Sequence, residues 1–267
     1  MRADLPSQTR RRLERLAVKG EGGQWSMDDI DWSRGPQVPR WLPKRLYRSI
    51  ISQFQYGERM TVELCRRLAD ELGDPVLKRC VELQATDELG DPVLKRCVEL
   101  QATDEIRHAD VYFRYLESIG GAVDPDPALA ESLSAALHHP GPPVLPMLAY
   151  HVILEGEAMR TLEDLRGTFT CPLFTEISRR TARDEARHIA FGRLYLKSVI
   201  PNMTSAEKAG LMRDLREIWD ACADGILSGY RVPGFFSRAL RRRWAADGWQ
   251  HHAEALADVG LTEATGP

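Results

Sequence analysis

The string Asp104-Glu105-Ile106-Arg107-His108 recurs as Asp184-Glu185-Ala186-Arg187-His188, each copy inside a stretch of helical periodicity. In both copies Glu and His stand three residues apart, so on an α-helix they project from one face, one turn apart. A carboxylate and an imidazole placed that way can hold one metal ion together. A single Glu-x-x-His is weak evidence, because 20 glutamates and 7 histidines in 267 residues yield roughly 0.5 by chance. Taken singly, either pair reads equally well as a surface i,i+3 contact. Two copies that share the longer D-E-x-R-H pattern are much harder to obtain by accident, and they call for two helices with metal-binding faces.

The apolar spacing from Pro43 onward is predominantly helical. Leu46, Ile50, Ile51, Phe54, Met60, Val62, Leu64 and Leu68 recur at intervals of about three and four. Asp91-Pro92 predicts the N-cap and first residue of a second long helix that ends near Gly120-Gly121. Further helices are expected over 143–166 and 172–199, with a short connecting helix over 126–138. A fifth runs from Ser205 to about Gly229 and a sixth over 235–244. Before Pro43 the chain is rich in Gly, Pro, Asp and Trp, with one helical run near Thr9–Val18. No hairpin signal or alternating β-branched run is visible, so the fold class is all-α. The expected division is an irregular N-terminal arm over 1–42, a bundle over 43–200 and a C-terminal helical extension over 201–267.

One segment disturbs this order. Residues 71–87 and 88–104 are identical, ELGDPVLKRCVELQATD in both. Seventeen residues advance a helix by about 1700°, which leaves about 260° of phase error. Both copies therefore cannot share one helix with the same face inward. The second copy is the natural continuation, because it alone leads into Asp104-Glu105, and the first is expected to form an extra short helix or loop.

A net charge of −3 argues against a nucleic-acid binder that works through phosphate contacts. Five scattered cysteines (Cys65, Cys80, Cys97, Cys171, Cys222) without a C-x-x-C read as reduced cytosolic thiols. The strongly apolar stretch 144–154 is far short of the ~20 residues that span a bilayer, so no membrane association is expected. The basic segment 1–12 is followed by no apolar run, so no secretory signal is visible and a cytoplasmic protein is expected.

A dimetal site in a bundle needs one further Glu from each of two other helices. Glu155 precedes Glu185 by 30 residues, and Glu58 precedes Glu105 by 47, which becomes 30 once the 17-residue duplication is removed. The neighbouring Glu63 and Glu157 give 25 and 28 and match less well. The resulting set, Glu58, Glu105, His108, Glu155, Glu185 and His188, resembles that of the ferritin-like dinuclear metal-carboxylate proteins over about residues 43–200. Tyr56-Gly57-Glu58, Leu154-Glu155-Gly156 and the run from Asp184 to Gly192 carry the same likeness.

The resemblance implies a four-helix bundle with two irons. Glu58 and His108 would serve one, Glu155 and His188 the other, with Glu105 and Glu185 bridging. Oxygen and imidazole donors suit Fe(II) or Mn(II). It also implies an oxygenase or oxidase that activates O2 through a peroxo or high-valent species and acts on a small organic substrate. Electrons would come from a reductase or ferredoxin, since the chain shows no flavin or dinucleotide fingerprint. A homodimer is the default expectation from the resemblance. The same fold also hosts storage or peroxide-detoxifying proteins, and radical-generating subunits in which Tyr112 would matter. Asp29-Ile30-Asp31-Trp32-Ser33 and the fourth-helix string are similar to the arylamine N-oxygenase branch, which carries a His where this chain has Thr181.

Arg107 and Arg187 are expected as partners of the acidic residues, since a guanidinium does not bind metal. Tyr112 is expected chiefly as a packing residue and His151 as a packed or solvated histidine, the alternative being a group that supports the ligands or an additional ligand. Phe235, Phe236, Trp244 and Trp249 are expected to be buried against the bundle, the alternative being a dimer contact or closure of the pocket. His138-His139 and His251-His252 are expected to do no chemistry.

Overall fold

The computed structural model describes residues 5–71, 92–139, 144–228 and 234–262. In chain order the helices are α1 (Ser7–Gly22), α2 (Lys44–Glu71), α3 (Pro92–Ser118), α4 (Pro127–Leu137), α5 (Val144–Leu148), α6 (Glu155–Thr168), α7 (Pro172–Val199), α8 (Ser205–Ser228) and α9 (Gly234–Asp258). A six-residue π-helical segment, Ala149–Leu154, joins α5 to α6, and short 3-10 turns occupy Met27–Asp29, Trp32–Arg34 and Ile200–Asn202. The described residues contain no strand, and the chain is all-α. None of the helices is long and apolar enough to cross a membrane.

The chain forms two compact units, residues 1–124 with 158–191 and residues 125–157 with 192–267. In the first, α2 and α3 pack antiparallel: Tyr47 meets Tyr115 through their hydroxyls at 2.6 Å, and Glu58 approaches His108 further along both helices. Each helix of this unit buries a stripe at three- and four-residue intervals. On α2 the stripe includes Tyr47, Ile51, Glu58, Val62 and Cys65; on α3 it includes Cys97, Gln101, Glu105, His108, Tyr112 and Tyr115. On α7, Phe174, Ile177, Thr181, Glu185 and His188 share one buried face. The α2 and α3 stripes are apolar toward their ends and polar in the middle, and the α7 stripe passes from apolar to polar, so folding drives the carboxylates and imidazoles inward along with the core.

The ends of these helices are fixed by identifiable contacts. Beyond α3, Gly120 and Gly121 take positive φ (105° and 87°), and Gly121 N–H returns to Leu116 O at 2.8 Å, closing the last turn as glycine permits. Arg48 of α2 donates to Gly121 O at 2.7 Å, tying that end to its neighbour. At the start of α7 the sulfur of Cys171 accepts from Phe174 N–H at 3.4 Å and from Gln37 N–H at 3.3 Å. Beneath the polar layer, Tyr112, Tyr115, Phe169 and Phe174 form an aromatic core with Ile51 and Val111. The N-terminal arm is more ordered than its composition suggests. Its helix extends over all of Ser7–Gly22 and buries Leu13, Ala17 and Gly20 on the side facing α3.

In the second unit, α8 starts at a capping box: Glu207 N–H donates to Thr204 Oγ1, and Glu207 Oε2 accepts from Thr204 N–H at 2.7 Å. Trp219 is fully buried, donates to Ala245 O at 2.8 Å and packs edge-on against His252 (4.4 Å between centroids). His252 is buried as well, with Glu157 Oε2 at 3.6 Å from its Nε2. The pair His251-His252 thus lies inside α9, which is much longer than the expected 235–244, and only His252 is buried. Trp244 stacks on Trp219, and Trp249 is buried beside Arg216. The side chains of Phe235 and Phe236 lie outside those described, as do residues 72–91, which hold the first copy of the duplicated segment apart from Glu71 and the start of the second.

Candidate metal centre

Five of the six expected ligands belong to the first unit, and they converge. α2 contributes Glu58, α3 contributes Glu105 and His108, and α7 contributes Glu185 and His188, none of them more than 8% exposed. Donor atoms of Glu58, Glu105, His108 and Glu185 all lie within 4.8 Å of one another. His108 Nδ1 is 3.1 Å from Glu185 Oε1, 3.4 Å from Glu58 Oε2 and 3.6 Å from Glu105 Oε2. His188 Nδ1 is 3.0 Å from Glu105 Oε1 and 3.2 Å from Glu185 Oε2. Glu105 and Glu185 therefore each turn one oxygen toward His108 and the other toward His188. The sixth residue, Glu155, belongs to the second unit, where it is buried at the first residue of α6, directly after the π segment.

The far side of each imidazole is held by the Asp of the opposite motif. Asp184 Oδ2 lies 3.2 Å from His108 Nε2, and Asp104 Oδ2 lies 3.1 Å from His188 Nε2. With Nε2–H given an acceptor, Nδ1 is left to face the carboxylates. Both aspartates are neutralised by arginines. Arg107 pairs with Asp104 and, at 3.0 Å, with Asp184; Arg187 pairs with Asp104 and, at 3.1 Å, with Asp184. Gln24 Nε2 donates to Asp104 at 3.0 Å and Trp25 Nε1 donates to Asp184 at 2.7 Å, so the residues just after α1 complete this layer. The Trp25 ring also stacks with His108 at 6.2 Å and lies 4.6 Å below the Arg107 guanidinium.

These contacts leave an excess of negative charge on the inner side. Burial, then the neighbouring Glu185, push Glu58 well above the usual carboxylate range. Burial opposes the charged form of His108, yet Glu58 and the surrounding carboxylates outweigh it and hold its pKa well above the ordinary value. His188 is raised in the same way by Glu105 and Glu185. His108 Nδ1 thus faces three carboxylates at 3.1 to 3.6 Å, Glu105 Oε2 among them. Nitrogen and oxygen atoms that converge at 3 to 4 Å from several helices fit a cation between them, and the donor set fits iron or manganese.

Tyr112, one turn beyond His108, is fully buried and stacks with Phe54 at 6.0 Å; burial followed by the charge of Glu58 raises its pKa, against a hydrogen bond with Thr181. Thr181, one turn before Glu185, is also fully buried. In the second unit His151 is buried within the π segment, where its Cβ and Cγ occupy the space beside Gly192. His139 lies 3.9 Å from Asp214, and His138 Nδ1 is 2.9 Å from Ser134 O. Asp104 and Asp184 join the six expected residues as holders of the imidazoles, and the Asp that opens both repeated strings is their signal in the sequence, whereas nothing in the sequence marks Gln24 or Trp25.

No protein-family model matches the chain, and no curated protein matches it. Among solved structures the fold is similar to that of the R2-like ligand-binding oxidase from Sulfolobus acidocaldarius, with a TM-score of 0.56 and 17% identity over 91% of this chain and 90% of that one. This likeness establishes the ferritin-like helical fold.

Proposed function

We propose that this chain is a non-haem diiron oxidase or oxygenase, which uses O2 to oxidise a small organic substrate and takes electrons from a separate reductase or ferredoxin. The observation that carries the reading is the double-facing placement of Glu105 and Glu185, each with one oxygen on either histidine. Two carboxylates so disposed suit two cations side by side rather than one. Glu58 and His108 would hold the first metal and His188 the second, with Glu155 assigned there by its 30-residue spacing from Glu185. Four carboxylates would then balance two divalent ions. When bound, the metals supply a site at which O2 can be reduced.

The chain's own residues prepare that site. Asp184 and Asp104 orient the imidazoles, Arg107 and Arg187 keep those aspartates charged, and the aromatic core beneath excludes water. Manganese satisfies the same donors, so the metal itself is part of the proposal. The similarity in fold to an R2-like ligand-binding oxidase supports the reading without naming a substrate.

Loading the purified chain anaerobically with Fe(II), measuring iron and following the optical change on adding O2 tests it. About two irons per chain and an O2-dependent absorption change are expected. Glu105→Ala and His188→Ala should each lose metal and O2 consumption while the helical circular dichroism persists. Full metal content and activity in both variants would sink the assignment.

A further inference from the structure

Glu58, Glu105, His108, Glu185 and His188 are so nearly sealed that any small reactant must cross the wall around them. A crevice among the described residues reaches this wall from outside. It lies between α1, α3 and α7, and its inner end is formed by His188 and Gln101, whose carboxamide donates to Glu105 Oε1 at 3.3 Å. Its sides are Leu16 and Ala17 from α1, Cys97 and Leu100 from α3, and Arg187 and Phe191 from α7. Its volume is about 10 Å3, room for a single water-sized molecule. α1 comes down close at this point because residue 20 is glycine: a Cβ there would stand 3.1 Å from Arg187 and 3.2 Å from Leu100.

We propose that this crevice is the route by which dioxygen reaches the metal centre, an inference that rests on the diiron reading above. Size excludes an organic substrate from this path. The guanidinium of Arg187 also lines the crevice but is held by Asp104 and Asp184, and the other side walls are aliphatic, aromatic or thiol, so an apolar diatomic molecule gives up less on entering than an ion or a water. The path ends on a proposed ligand, His188, and beside a second, Glu105. The N-terminal helix therefore forms one wall of the access route, in addition to bringing Gln24 and Trp25 to the aspartates.

Xenon, an apolar atom that needs no metal, is the first probe. Crystals of the full chain under xenon pressure should show a peak among Ala17, Leu100 and Phe191, and Ala17→Phe should abolish it. In stopped-flow mixing, Fe(II)-loaded Ala17→Phe should react with O2 about tenfold more slowly than the parent at equal iron content. Ala17→Leu, a smaller plug, should slow the reaction to a lesser degree and serves where the Phe variant does not fold. Unchanged O2 rates in a plugged, iron-loaded variant would overturn the route. Two irons per chain with no xenon in the crevice would overturn it too and leave the oxidase reading standing. Xenon binding in a chain that takes up no iron would overturn the oxidase reading and the dioxygen assignment with it.

Discussion

Asp184 gathers four donors: Trp25 Nε1, Arg107, Arg187 and, across the helix interface, His108 Nε2. Their combined effect keeps its carboxyl far below the usual range even though burial works against the charge. Asp184→Asn keeps the shape and removes the charge, so the imidazole loses an anionic acceptor and the arginines lose their counter-ion. Groups that hold a ligating histidine commonly contribute 10- to 100-fold in metal affinity, so Fe(II) or Mn(II) titration of Asp184→Asn should show a loss of about that size with helicity retained. Tyr112 tests a neutral contact instead. Its buried hydroxyl has the hydroxyl of Thr181 as its neighbour, so Tyr112→Phe, which leaves that threonine buried without it, should cost about 1 kcal/mol in urea unfolding. Unchanged stability would show that the two hydroxyls do not interact. The ligand positions were legible in the sequence because residues that must share a cation must share a helix face, which fixes their spacing at three. Gln24 and Trp25 were not, because they reach the aspartates from about 80 and 160 residues away through packing alone.

At the scale of elements, the second unit depends on two close approaches within its helices. A Cβ on Gly192 would lie 2.5 Å from His151 Cβ, and one on Gly248 would lie 2.4 Å from the Trp219 ring, whereas at Gly210 the nearest atom is 3.8 Å away. Gly192→Ala and Gly248→Ala should therefore each cost about 1–3 kcal/mol through overpacking, despite alanine's better helix propensity. Gly210→Ala, with room for its methyl, should gain about 0.5–1 kcal/mol. Thermal unfolding of the three variants checks the contrast, and equal shifts would contradict the packing argument. Helix ends such as Pro92, Gly120 and Pro201 could be read directly, because proline and glycine impose backbone limits of their own. The π segment before Glu155 could not: it inserts one residue per turn and leaves apolar composition unchanged, so the sequence shows only one continuous helix over 143–166.

For the molecule as a whole, the open question raised by its sequence is the duplicated segment. α2 ends at Glu71 and α3 begins at Pro92, and the antiparallel pairing of Tyr47 with Tyr115 and of Glu58 with His108 carries those two ends toward each other. Between them stand residues 72–91, twenty in number and outside the described residues. Removing residues 71–87 places Glu88 after Asp70, so that it replaces Glu71, and leaves Leu89-Gly90-Asp91 as the whole connection. Three residues are enough, since antiparallel helices are commonly joined by about 2–5. The shortened chain also restores the 30-residue spacing of Glu58 and Glu105, the same as that of Glu155 and Glu185. Closing a connection costs about 0.6 kcal/mol more for each doubling of its length. The chain lacking 71–87 should therefore keep its helix content and its metal stoichiometry, with a thermal midpoint equal to or above the parent's. Loss of metal binding in that variant, with the helices intact, would mean that the duplicated segment helps to build the centre and that the two halves of the site are not equivalent in the way their spacing implies.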